Sequence, residues 1–140
     1  MALPDHPSAA RVVPWHPLHL VFLAGALPLF LGALLSDIAY YRTEVIQWNN
    51  FAQWLLAGAL VFAAVPLLMS LIGLFRGRRA LVYFVVLLAL WVVGFVDSLV
   101  HASDAWASMP RGLWLSLIAA LLALVATWLG FARRRAGGVL

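Results

Sequence analysis

The sequence contains no cysteine and no lysine, and it has few charged residues of any kind. The absence of cysteine excludes disulfides, thiolate metal ligands and cysteine nucleophiles. Charged residues make up 10% of the 140 residues, and hydrophobic residues make up 66%. In soluble domains charged residues average about 25% and hydrophobic residues about 45–50%. The composition therefore excludes an ordinary soluble domain and favours a membrane protein.

Catalytic and phosphate-binding motifs are also missing. The sequence has no Gly-x-Ser-x-Gly, no phosphate-binding loop and no dinucleotide fingerprint, so it lacks the local geometry that these chemistries need. No ionisable residue falls in the middle of an apolar run, which disfavours an ion-coupled transporter. We expect a non-enzymatic protein, with no catalytic residues and no resident cofactor.

Four long apolar runs predict four transmembrane helices, at about residues 17–37, 50–75, 80–101 and 113–132. Each run is long enough to cross a hydrocarbon core of about 30 Å, and tryptophan and tyrosine lie mostly at the run ends. Short connections favour an all-α, up-down antiparallel four-helix bundle in a lipid bilayer. Residues 1–14 and 136–140 are predicted tails, and residues 15–135 form the transmembrane domain.

The basic residues are all arginines and cluster at the ends of the apolar runs, which indicates contact with anionic lipid headgroups rather than nucleic acid. Arginines favour the cytoplasmic side of a membrane. One predicted side carries only Arg42 and Arg111. The other side carries the remaining seven, which are Arg11, Arg76, Arg78, Arg79, Arg133, Arg134 and Arg135. The sequence thus predicts a multi-pass protein of the bacterial inner membrane with both termini in the cytoplasm.

Polar residues gather at the predicted periplasmic ends of the helices. They are Asp37, Asn49, Asn50, Asp97 and His101. Asp97 and His101 are four positions apart, so they share a helical face. An unpaired carboxylate near hydrocarbon is costly, and we therefore expect these residues to form a structural polar knot that joins the helix ends. The alternative is a small metal site of Asp37, Asp97 and His101 for zinc, manganese or a similar ion.

Two histidines, His16 and His19, open the first run at the predicted cytoplasmic end. His19 and Asp37 are 18 positions apart, which corresponds to about 27 Å along a helix. His16 or His19 therefore cannot share a b-type haem with His101 inside one chain, because two axial ligands must lie at equal depth. Haem b held by His16 and His19, across a dimer, remains the alternative to an interfacial role.

Several motifs resemble a bacterial membrane family known as domain of unknown function 2231. They are His16-Pro17-Leu18, the stretch from Leu31 to Tyr40 that includes Ser36-Asp37, Trp54 to Gly58, the Arg-Gly-Arg-Arg loop, Val100-His101 with Asp104-Ala105-Trp106, and Gly112-Leu113 with Trp128-Leu129-Gly130. The resemblance implies a four-helix inner-membrane protein, sometimes found near redox proteins. Members often carry a histidine where this chain has Tyr83, and this departure weighs against a family haem or metal site here.

These observations predict an accessory or scaffold subunit of a larger membrane assembly, with a redox assembly as one candidate. Its expected partners are other membrane subunits or further copies of the chain, and no nucleic acid. The alternative function is a haem- or metal-binding membrane redox protein that uses His16 and His19.

Overall fold

The computed structural model describes residues 16–76, 81–103 and 105–137, with side chains omitted for 105, 106 and 133–137. The predicted tail of residues 1–14, Arg78 and Arg79 of the Arg-Gly-Arg-Arg loop, Asp104 and the last three residues lie outside the described residues.

Five helices make up the described chain: α1 (Pro17–Thr43), α2 (Ile46–Phe75), α3 (Leu81–Ala102), the single turn α4 (Ala105–Ser108) and α5 (Arg111–Gly137). All but α4 are long and apolar enough to cross a membrane. A helix pairs its own backbone N–H and C=O groups, and it needs to do so because hydrocarbon offers them no hydrogen-bond partners. The prediction of an all-α, four-helix membrane protein is confirmed.

The four long helices form a ring in which α1 and α3 each pack against both α2 and α5. Consecutive long helices run antiparallel because the connections between them are short. Helices α1 and α3 therefore lie diagonally across the bundle and run in the same direction. The connections from α1 to α2 and from α3 to α5 lie at one end, which we call the loop end.

Buried positions follow alternate spacings of three and four residues in all four long helices. In α1 they include His19, Leu23, Ala26, Phe30, Ala33, Asp37 and Tyr40. In α3 they are Tyr83, Leu87, Leu90, Gly94, Asp97 and His101. In α5 they include Gly112, Ser116, Ala119, Ala123, Ala126 and Gly130. This average spacing of 3.5 keeps one seam of each helix facing its neighbours, as in a coiled coil. The centre of the seam is apolar, and polar side chains occupy both of its ends.

The helices extend beyond the predicted spans at the loop end. Residues 40–47 lie between the first two predicted spans, and they are helical except for Glu44 and Val45. Thr43 Oγ1 donates to the Ala39 carbonyl oxygen at 2.7 Å, and Glu44 ends α1 in the left-handed region, with φ of 55°. The loss of hydropathy at Tyr40 marks the membrane boundary and not the end of the helix, because polar and aromatic residues continue a helix readily in the interface.

A buried carboxylate–histidine cluster

Three helices bring four polar side chains together near the loop end. Asp37 comes from α1, Asp97 and His101 from α3, and Ser116 from α5; we call these four the cluster. The first three are 0% exposed and Ser116 is 1% exposed. All four occupy seam positions, so the packing of the helices directs them inward. The structure thus joins the three residues of the predicted metal site.

His101 lies between the two carboxylates. Its Nδ1 is 2.9 Å from the carbonyl oxygen of Asp97 and 3.1 Å from Asp97 Oδ1. A carbonyl oxygen only accepts hydrogen bonds, so Nδ1 is protonated and donates a hydrogen bond to the Asp97 carbonyl oxygen. The other ring nitrogen, Nε2, lies 2.7 Å from Asp37 Oδ1 on the diagonal helix. The imidazole therefore connects α1 to α3 through the bundle centre.

Ser116 connects the two carboxylates from the side of α5. Its Oγ is hydrogen-bonded to Asp37 Oδ2 and lies 2.8 Å from Asp97 Oδ2. A hydroxyl has one proton, so it donates to one carboxylate at a time. Ser116 is not among the five residues of the predicted polar knot.

Helix α2 borders the cluster without entering it. Gln53 Nε2 donates to the His101 carbonyl oxygen at 2.6 Å, which satisfies one of the backbone acceptors that the end of α3 leaves unpaired. Asn49 is buried, but its Oδ1 accepts from Ser108 Oγ of α4 at 3.4 Å. Asn50 is exposed, because one residue further along a helix is a rotation of about 100°. The predicted knot therefore includes neither asparagine directly.

A glycine of α5 makes room for the imidazole. A Cβ at Gly112 would lie 2.7 Å from His101 Cε1 and 3.2 Å from Nε2, closer than van der Waals contact permits. The absent side chain lets α5 approach the ring and bring Ser116, one turn later, to the carboxylates.

The two histidines of the haem alternative lie at the opposite end and point to different places. His16 is exposed and caps α1, with its Nδ1 accepting from the Leu18 amide at 3.2 Å. His19 is fully buried, and its Nε2 lies 2.7 Å from the Tyr83 hydroxyl oxygen on α3. The structure brings these two histidines to no common site within the chain, and the binding of haem stays a prediction.

The cluster offers a metal ion three ligand atoms, one each from Asp37, Asp97 and His101, all within 4.8 Å of one another. These three residues are predicted from the sequence, whereas Ser116, Gln53 and Gly112 are not. The 3.5-residue spacing of small residues in α5, which includes Gly112 and Ser116, was the signal that would have placed both on the inner seam. Gln53 carries no such signal, because it lies beside the seam.

A family model described as "Predicted membrane protein (DUF2231)" matches residues 15–138. No curated protein and no solved structure matches the chain.

Proposed function

The chain belongs to this family of predicted membrane proteins, and we propose that it is a non-enzymatic accessory or scaffold subunit of a larger assembly in the bacterial inner membrane. The observation that carries this proposal is the distribution of polarity in the described bundle. Buried polar side chains engage one another in the cluster and in the contact of His19 with Tyr83. The outer faces of all four long helices carry exposed large apolar side chains.

Such a bundle has the properties of a subunit that acts by packing. Its internal polar contacts join helices α1, α3 and α5, which favours one rigid arrangement of the outer faces. Large aromatic side chains stand far out of the bundle, with exposures of 81% at Trp54, 85% at Phe75 and 76% at Trp128. Aromatic residues contribute strongly to interfaces between proteins and also anchor helices at the membrane boundary.

Photo-crosslinking from each outer face tests this role. A photoreactive amino acid would replace Leu35 on α1, Trp54 on α2, Val92 on α3 or Trp128 on α5, all of which are exposed. Irradiation of native membranes should give a discrete protein adduct from one or two adjacent faces and only lipid adducts from the others. Matched positions on the buried seam, such as Leu56, should give no adduct to another protein. Lipid adducts alone from all four faces would contradict the proposal.

The haem-binding redox alternative has a test of its own. It requires His16 and His19 of two chains to supply the axial ligands, and His19 would have to exchange its contact with Tyr83 for iron. The protein purified from its native membranes would then show a Soret band that His19→Ala abolishes. This result would replace the scaffold role with a redox role.

A further inference from the structure

We propose that the cluster is a binding site for one divalent transition-metal ion, with His101 Nε2 and one carboxylate oxygen each of Asp37 and Asp97 as the protein ligands. This inference goes beyond the accessory role and does not depend on it. It gives a chemical role to the four residues of the cluster. At their buried position, apolar side chains would cost less free energy than polar ones.

The orientation of His101 is the first argument. Histidines that bind metals usually donate the second ring N–H to a backbone carbonyl or a carboxylate, which fixes the tautomer and aims the other nitrogen at the ion. Here Nδ1 donates to the Asp97 carbonyl oxygen at 2.9 Å. Nε2 faces the carboxylate of Asp37 across a hydrogen bond of 2.7 Å. It is therefore the nitrogen that an ion would bind, by displacing the proton that lies between Nε2 and Asp37.

The spacing of the ligand atoms is the second argument. Nε2 and Asp37 Oδ1 are 2.7 Å apart, and metal–ligand bonds of about 2.0–2.2 Å require two neighbouring ligand atoms to be about 3 Å apart. Nε2 and Asp37 Oδ1 therefore need to move apart by only a few tenths of an ångström to admit an ion. The three candidate ligand atoms already lie within 4.8 Å of one another.

An available acceptor is the third argument. Asp97 Oδ1 is buried, and His101 Nδ1 lies 3.1 Å from it. The Nδ1–H is directed at the Asp97 carbonyl oxygen instead, so within the described part of the chain Oδ1 accepts no well-directed hydrogen bond. A buried oxygen with unused lone pairs costs stability, and coordination of a cation would remove that cost. Ser116 Oγ, in reach of both carboxylates, would then orient them from outside or supply a fourth oxygen.

The donor set indicates the class of ion. One imidazole nitrogen and two carboxylate oxygens, with no thiolate, suit manganese, iron or zinc better than copper(I) or a cluster. Two carboxylates also match the two charges of the ion, so the occupied site is electrically neutral, as its apolar surroundings favour.

Manganese is the probe for the test, because it has less affinity than zinc for exposed histidines such as His16. The full chain, purified in detergent with an affinity tag that contains no histidine and stripped with a chelator, is titrated with Mn²⁺. Electron paramagnetic resonance then measures the free ion. We expect about one bound Mn²⁺ per chain, and at least tenfold weaker binding in each of Asp37→Asn, Asp97→Asn and His101→Gln. Tyr83→Phe, which removes a core hydrogen bond at the other end, and Asn50→Ala should bind as the wild type does.

A second measurement covers ligand variants that fail to fold. Binding to the folded state raises the unfolding temperature in proportion to the logarithm of the ligand concentration once the site is saturated. Wild type and Tyr83→Phe should both show this rise with Mn²⁺. No bound Mn²⁺ and no rise in the wild type would overturn the proposal. Binding that persists unchanged in folded Asp37→Asn would overturn it as well.

Discussion

His101 Nε2 lies 2.7 Å from Asp37 Oδ1 across the diagonal of the bundle, and these two residues are 64 positions apart. Tyr83 and His19 make the second diagonal contact, with the same separation of 64 positions and the same distance of 2.7 Å. The two contacts are 18 residues apart on each helix, which is five complete turns. Helices α1 and α3 therefore run parallel in one constant register, with a polar contact at each end and apolar side chains between them.

The first prediction concerns the imidazole of the cluster. His101→Ala leaves both carboxylates without their nitrogen partner in a buried site, and an unsatisfied buried group costs about 1–3 kcal/mol. Hydrogen bonds within membranes average nearer 0.6 kcal/mol. We therefore expect a loss of about 0.6–3 kcal/mol in the free energy of unfolding, measured in mixed micelles. Asp97→Asn should be milder, because the amide keeps an acceptor and the backbone carbonyl still receives the His101 Nδ1–H.

The control for that prediction is Asn50→Ala, which removes an exposed polar group at the same end of the bundle and should leave the unfolding free energy unchanged. Equal effects of His101→Ala and Asn50→Ala would show that the cluster contributes nothing to stability.

The second prediction concerns the space beside His101. In Gly112→Ala the new methyl group would lie 2.7 Å from His101 Cε1, so the ring or the helix must move. Overpacking of a core costs about 1–3 kcal/mol, and we expect a loss of that size in detergent unfolding. Gly58→Ala is the matched control, because its Cβ would meet Leu29 Cδ1 at an ordinary 3.6 Å. A variant Gly112→Ala as stable as Gly58→Ala would contradict the close packing of α5 on the imidazole.

The third prediction concerns the contact between His19 and Tyr83. Tyr83→Phe removes the hydroxyl from a fully buried histidine, and we expect a loss of about 0.5–1.5 kcal/mol, the usual net value of one hydrogen bond. A double-mutant cycle with His19→Phe isolates the pair. The sum of the losses of unfolding free energy in the two single variants should exceed the loss in the double variant. Strict additivity would show that the two side chains do not interact energetically.

The fourth prediction is the orientation in the membrane. The arginine distribution places both termini in the cytoplasm and Arg42 and Arg111, which lie at the loop end, in the periplasm. An alkaline phosphatase fused after Leu140 should be inactive, and the same enzyme inserted after Glu44 should be active. The opposite pattern of activities would reverse the topology and place the cluster near the cytoplasm.

The sequence by itself determined the environment and the class of fold. Four apolar runs of sufficient length have few stable arrangements in hydrocarbon, and short connections leave the antiparallel bundle as the simplest one. The four-residue spacing of Asp97 and His101 also placed both on one face, because helix geometry is local.

Only the tertiary structure decided which side chains meet. Asp37 contacts His101, and His19 contacts Tyr83, because α1 and α3 lie diagonally across the bundle in one register. The periodicity of a single helix determines neither the order of the helices in the ring nor their axial offset. Ser116 joins the cluster and Asn50 lies outside it for the same reason. Periodicity determines the inward face of a helix, but contact between faces depends on how closely the helices approach, and Gly112 sets that distance beside His101.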